Sequence, residues 1–260
     1  MNNGWTFGIV TGGNQNDILK ECIKKIQDEF LNVDNYEIIV VGNTILREDS
    51  EFKGIKFINF NENQYKIPDF FEKIIKFQPI DLKNDLCFKK PGWITRKKNI
   101  IAQKASYDKL CLMHDYVGVE PGWKKAYAEY GEDWDICMNQ ILNKNGQRHR
   151  DWMGWDHPEA GAGLMPYDKY TKYMYISGTY FCVKTDFFLK NPLDEKLFWG
   201  EGEDVEWSLR VRELTEFKMN VNAVVKYLKL KPENDAPYEE SWMKNTEKLY
   251  EIFSNAEEPK

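Results

Sequence analysis

The sequence predicts an α/β protein in three layers, with a mostly parallel central sheet covered by helices on both faces. Three observations carry this expectation. Strand-like and helix-like patterns alternate through the first hundred residues, the leading strand candidates are unbroken apolar runs, and turns rich in glycine or asparagine close them. A strand buried on both faces needs a continuous apolar run, and strand, helix, strand order joins parallel neighbours.

Phe7, Gly8, Ile9 and Val10 read as the first buried strand, stopped by Thr11, Gly12, Gly13 and Asn14, residues that suit a tight turn. A helix follows, with Asn16 or Asp17 as its cap and Ile18, Cys22, Ile26 and Phe30 at spacing four along one side. Residues 37–41 form a second buried strand ending at Gly42 and Asn43, and residues 55–60 alternate as a third. Ligands bind at the carboxyl ends of strands in such sheets, which makes the loops at 11–14 and 42–44 the first candidate site. Ordinary tight turns are the competing reading, because the phosphate-cradling glycine patterns are absent.

Residues 61–92 carry a weak, proline-punctuated signal, read as a short helix over 69–77 and then a loop. From Ile94 a helix capped by Thr95 is expected, turning Ile100, Ile101 and Ala105 to the core and Arg96, Lys97, Lys98 and Lys104 elsewhere. Its basic first turn opposes the helix dipole, so a bound anion or nearby acid should compensate, unless it is simply a solvated basic face. Lys109 to Met113 is a short strand that runs into His114, Asp115 and Tyr116. A carboxylate and an imidazole at a strand's carboxyl end suit Mn2+ or Mg2+, ions that clamp diphosphates; a hydrogen-bonded turn is the plainer alternative.

Residues 134–175 are polar, aromatic and glycine-bearing, and read as a long functional loop, a lid over a ligand, with a plain surface excursion as the alternative. Residues 175–183 resume strand character, with Gly178 marking close approach by a ligand or another backbone. The segment 199–210 holds Glu201, Glu203, Asp204 and Glu206 within six residues after Trp199 and Gly200. Such a cluster needs a cation, a proton or a helix N-terminus to offset it. A final amphipathic helix carrying Trp242, Leu249, Tyr250 and Phe253 leads to a charged tail.

Composition narrows the function classes. With 260 residues and 42% hydrophobic side chains the chain can bury a substantial core. The 42 acidic against 36 basic side chains leave −6, the wrong sign for a protein that coats nucleic-acid phosphates. No apolar stretch approaches the roughly 20 residues of a bilayer-spanning helix. The five cysteines, at 22, 87, 111, 137 and 182, fit neither a zinc ribbon nor a disulfide framework. With no signal-peptide pattern at the N-terminus, a soluble cytoplasmic protein is expected. Aromatic residues at 15%, including nine tryptophans, are plentiful; most belong to a core, and flat amphipathic rings also suit sugars and bases.

The order of these segments over residues 5 to 215 resembles the GT-A fold glycosyltransferases, especially the large family 2 group. The resemblance implies one catalytic domain, with a nucleotide-binding half over 1–117, an acceptor half over 118–215 and a C-terminal strand and helix over 216–260. It assigns Thr11, Gly12, Gly13 and Asn43 to the base and ribose of a nucleotide sugar, and Arg96 and Asn99 to its diphosphate. The chain departs from the family in having Val41, Gly42 and Asn43 where an aspartate usually ends the second strand. His114 and Asp115 stand where the family has Asp-x-Asp, with Asp115 the first choice of metal ligand and His114 the second. Asp204, with Glu203 beside it, matches the catalytic base of inverting members. Trp199 and Gly200 begin a phrase similar to the Trp-Gly-Gly-Glu-Asp segment of galactosyl- and N-acetylgalactosaminyltransferases, and would line the sugar and acceptor pocket with Gly178.

The implied activity is metal-dependent transfer of a sugar from a nucleotide-diphosphate donor, UDP-linked for preference, to a glycan or other hydroxyl acceptor, with inversion favoured. The alternative is a non-catalytic carbohydrate- or nucleotide-binding protein on the same scaffold. The two differ in whether bound nucleotide sugar is ever turned over.

Overall fold

The computed structural model describes residues 1–60, 93–197, 202–230 and 236–255. An eight-stranded sheet runs in the order β3-β2-β1-β4-β10-β6-β11-β5, made of β1 (Asn2–Val10), β2 (Tyr36–Val41), β3 (Lys56–Ile58), β4 (Tyr107–His114), β5 (Val117–Val119), β6 (Ile136–Leu142), β10 (Tyr180–Lys184) and β11 (Lys218–Tyr227). The pairs β3-β2, β2-β1, β1-β4 and β6-β11 are parallel. Strand β10 runs antiparallel to both neighbours, and β5 is antiparallel to β11. The expected mostly parallel three-layer α/β sheet is therefore the observed one.

Unbroken apolar runs produce the layers, because successive side chains of a strand point to opposite faces. Phe7, Ile9, Ile38, Val40, Cys111 and Met113 face a core with α1 (Asn16–Glu29) and a helix, here α3, at Trp123–Tyr130. Val10, Ile39, Val41, Leu110 and Leu112 face a second core with α2 (Ile94–Lys104), α4 (Thr185–Lys190), α5 (Glu203–Val211) and α6 (Ala236–Asn255). Six tryptophans, Trp5, Trp93, Trp123, Trp134, Trp152 and Trp207, are buried, so the aromatic excess is mainly core.

Several expectations shift. The core stripe of α1 is Leu19, Cys22, Ile23 and Ile26 followed by Phe30, while Ile18 is only half-buried; the helix begins after Gln15. A stripe needs both i+3 and i+4 steps to track 3.6 residues per turn, which a strict spacing of four misses. Residues 134–175 are not one long loop. They contain β6 and a second, three-stranded sheet, β8-β7-β9, formed by β7 (Met153–His157), β8 (Gly161–Leu164) and β9 (Met174–Tyr175). Strands this short and glycine-bearing have too little apolar periodicity to be read locally; their stability comes from the α6 face against which they pack. The expected strand over 175–183 is interrupted, with β9 in the small sheet, β10 in the large one and residues 176–179 turning between them. Strand β11 inserts between β6 and β5. The expected helix over 69–77 lies outside the described residues.

Candidate active site

The strand order places β2 on one side of β1 and β4 on the other. The connections after β1 and β4 therefore lead away from each other, and a crevice opens between the two carboxyl ends. Thr11 follows β1 and Asp115 follows β4. The Thr11 hydroxyl donates to Asp115 Oδ2 at 2.6 Å and accepts from the Gly13 N–H at 3.0 Å. One buried hydroxyl thus ties the glycine turn to the carboxylate across 104 residues of chain. Gly13 has φ +85°, and a Cβ there would stand 1.7 Å from the Asn43 carbonyl oxygen. Only glycine lets the turns after β1 and β2 meet so closely, which brings the Gly12-Gly13 turn against Asn43.

Asp115 is only 5% exposed. Burial pushes its carboxyl above the ordinary aspartate range, while the Thr11 hydroxyl, then Lys229 and Lys97, pull it back. The helical pattern turns Lys97 away from the core, but the structure does not. Its ammonium is buried and donates to the Thr11 carbonyl at 2.9 Å. Lys98, also expected outside, is 1% exposed and donates to the Gly178 carbonyl. Both corrections have one cause: α2 starts at the carboxyl edge of the sheet, so its first-turn side chains meet edge carbonyls instead of water. Thr95 is inside the helix, which begins after Trp93, and its hydroxyl donates to the Leu197 carbonyl.

A second station lies beside the first. Asp204, in the first turn of α5, accepts on Oδ2 from the Tyr175 hydroxyl at 2.5 Å and from the Gly178 N–H at 2.9 Å. Its Oδ1 accepts from the Val205 N–H at 3.0 Å. A Cβ at Gly178 would lie 2.9 Å from the Asp204 side chain, so the close approach marked by this glycine is to Asp204. The next residue, Thr179, accepts from the His114 N–H through its carbonyl at 3.0 Å. Residues 178–179 therefore connect Asp204 to the His114-Asp115 end of β4. Glu203 is 7% exposed, and together with Asp204 it faces the charge of Lys98. Burial lowers the Lys98 pKa, and the two acids oppose that shift. Lys98 and the N-terminus of α5 are the positive partners of Glu203 and Asp204, and Arg210 pairs with Glu206 at 2.9 Å.

The two residues expected at the diphosphate both meet the chain that follows α4. The Asn99 amide donates to the Leu193 carbonyl and Glu195 Oε1 and accepts from the Leu193 N–H, clamping the chain that leaves α4. Arg96 lies 3.8 Å from Glu195 Oε2. Trp199 and Gly200 lie outside the described residues.

For a divalent ion, His114 and Asp115 are the available protein donors at the end of β4, and Thr11 already occupies one carboxylate oxygen. Among the described residues no group of three or more His, Cys, Asp or Glu side chains forms a metal cage. The donor set fits an ion that takes its remaining ligands from a substrate's phosphates, a usual habit of magnesium.

The lysine and tyrosine partners of the site have no signature in the local sequence. Lys97, Lys98, Tyr175 and Lys229 enter through tertiary contacts. The nearest local signal is two adjacent lysines at a helix start whose charge opposes the dipole.

A Rossmann-like half sheet, a β1/β4 crevice and an acid-capped helix delivered to its rim define a protein of the GT-A glycosyltransferase fold. Among solved structures, this chain is similar to S. aureus TarS residues 1–349 in complex with UDP, with a TM-score of 0.56 and 11% identity over 86% of this chain and 60% of that one. It is also similar to a second S. aureus TarS structure, with a TM-score of 0.60 and 10% identity over 92% of this chain and 38% of that one. The chain thus spans less than two thirds of either TarS chain, and at these identities the likeness is one of fold. No protein-family model and no curated protein matches the sequence. No described helix is long and apolar enough to cross a membrane.

Proposed function

We propose that the protein is a glycosyltransferase that moves a sugar from a nucleotide-diphosphate donor, with UDP the preferred carrier, to a hydroxyl group of a glycan or other acceptor. The observation that carries the reading is the connection of two stations at one sheet edge: Asp115, held by the Thr11 turn, and Asp204, held on Gly178. The UDP complex of a protein with the same fold supports the choice of nucleotide.

Breaking a sugar to diphosphate bond builds positive charge on the sugar ring and negative charge on the leaving phosphate. Thr11, Gly12, Gly13 and Asn43 form the nucleotide side of the site. Asp115 and His114 would hold a Mn2+ or Mg2+ ion together with the diphosphate, and such an ion supplies charge stabilisation to the leaving group. In an inverting reaction Asp204 takes the proton of the acceptor hydroxyl as its oxygen attacks the sugar carbon from the face opposite the diphosphate. General-base assistance of this kind contributes about 10²- to 10⁴-fold. Three hydrogen bonds onto Asp204 fix its orientation, and Glu203 stands beside it as a second acid facing Lys98.

The test is incubation with a panel of UDP-sugars and Mn2+, following UDP release for the wild type and Asp204→Asn. Turnover that falls at least 100-fold in the variant supports the assignment. Equal turnover removes Asp204 from the base role. UDP-sugar binding with no turnover in either protein points instead to a non-catalytic binding protein on this scaffold.

A further inference from the structure

A second cleft opens at the opposite edge of the large sheet. Trp5 and Lys109 are register partners near the amino ends of β1 and β4. Each precedes its crevice residue, Thr11 or Asp115, by six positions, so the cleft lies about 20 Å from the crevice. It has a volume of about 180 Å³ and is bounded by β1, β4, α3 and the turn that follows α3. One wall is aromatic and rigid: the Trp5 ring meets Tyr127 edge-on at 4.7 Å and runs nearly parallel to Trp134 at 6.1 Å. Asn3, Asn35, Lys109 and Glu132 bring polar side chains to the same cleft. The buried Lys109 ammonium donates to Asn3 Oδ1 at 2.7 Å and to Glu132 Oε1 at 3.1 Å. One group is left unanswered. The indole N–H groups of Trp123, Trp134, Trp152 and Trp207 donate to protein oxygens at 2.6–2.9 Å. That of Trp5, a residue 6% exposed, meets no acceptor among the described residues, although a buried indole N–H normally finds one.

We propose that this cleft is a docking site for one hexose unit of a glycan, separate from the crevice. The ligand class follows from the lining. A pyranose ring has an apolar C–H face to lay on the aromatic wall, and hydroxyl groups that both accept and donate. Those hydroxyls accept from the Trp5 indole and the asparagine amides, and donate to Glu132 and Asn35 Oδ1. An anion fits less well, because Glu132 already matches Lys109 and also pairs with Lys184. An apolar molecule would cover Lys109, Asn3 and Glu132 without offering them a hydrogen bond, which is costly. The volume holds a single ring, and the exposed Asn3 and Asn35 mark the mouth through which the rest of a chain leaves. At about 20 Å from Asp115, a sugar bound here is anchored and does not react there.

The experiment is heteronuclear NMR of the full chain, titrated with glucose, galactose, N-acetylglucosamine, cellotetraose and chitotetraose. The reporters are the indole N–H resonances of Trp5 and Trp134. At least one of these sugars should move both resonances saturably. Asn3→Ala combined with Asn35→Ala should weaken that binding about tenfold, and Trp5→Phe, which keeps a ring but removes the N–H, about 3- to 10-fold, read from Trp134. The urea unfolding midpoint of the double asparagine variant should match the wild type, since both positions are exposed; this separates lost contact from lost fold. The proposal is overturned if none of these sugars moves the two indoles, or if the double variant binds as tightly as the wild type. It is overturned equally if UDP with Mg2+ displaces the bound sugar, which would place that sugar in the crevice.

Discussion

At the scale of single residues, Tyr175 and Lys98 have more to say about the site than their exposure suggests. Burial and the neighbouring Asp204 push the Tyr175 hydroxyl pKa well above its ordinary value, so it remains a proton donor to Oδ2. Tyr175→Phe removes that donor, and a hydrogen bond to a charged group is worth about 1.5–3 kcal/mol. We expect kcat to fall about tenfold with the donor KM unchanged; a variant with wild-type kcat would show that Tyr175 does not position the acid. Gly178→Ala puts a methyl group 2.9 Å from Asp204, and should cost about 1–3 kcal/mol in urea unfolding as well as transfer activity. Lys98 offers a pH test. Its folded pKa lies below the unfolded 10.5, so between those values the unfolded chain binds more protons and stability rises with pH. The unfolding free energy of the wild type minus that of Lys98→Met should therefore grow from pH 7 towards pH 10. A gap that is flat or shrinking would mean that burial does not depress this lysine.

Among the elements, the dependence of the small sheet on α6 is the clearest case of tertiary support. Strand β8 is an edge, and edges leave backbone groups unpaired. Here the Leu164 N–H donates to the Thr246 hydroxyl at 2.9 Å, and the Asn245 amide donates to the Ala162 carbonyl at 2.9 Å. Leu249 is fully buried against the same surface, and a Cβ at Gly163 would stand 3.0 Å from it. Leu249→Ala should cost about 2–5 kcal/mol by chemical unfolding. Thr246→Val, close in shape, should cost about 1–3 kcal/mol because the Leu164 N–H loses its acceptor. A cost near zero for both would show that the helix does not stabilise the small sheet. The small sheet is illegible in residues 134–175 for this reason: the groups that cap its β8 edge come from residues 245 and 246, and no window of local sequence contains them.

For the whole molecule, stability should be graded from the centre of the large sheet outward. Strands β1, β4 and β10 carry apolar residues buried in both cores and pair on both sides. Their amides should exchange slowest in native-state hydrogen exchange, and those of β7, β8 and β9 faster, because opening the small sheet disrupts fewer buried contacts. Exchange from the small sheet at the global rate would show one cooperative unit instead. The runs at 7–10, 37–41 and 109–113 determined by themselves that buried parallel strands form and that their carboxyl ends carry Thr11, Asn43 and Asp115, because burial on two faces demands apolar side chains at every step. The acidic stretch after Gly202 likewise announced a helix start needing positive partners. Which partners it received was decided only by the tertiary structure. Lys98 reaches the acids through Gly178, Asn99 turns to Leu193 instead of the crevice, and Lys229 arrives from the far end of the chain. A strand's burial is encoded in its own residues, but a charge finds its counterpart through space, and the spacing along the chain contains no record of that distance.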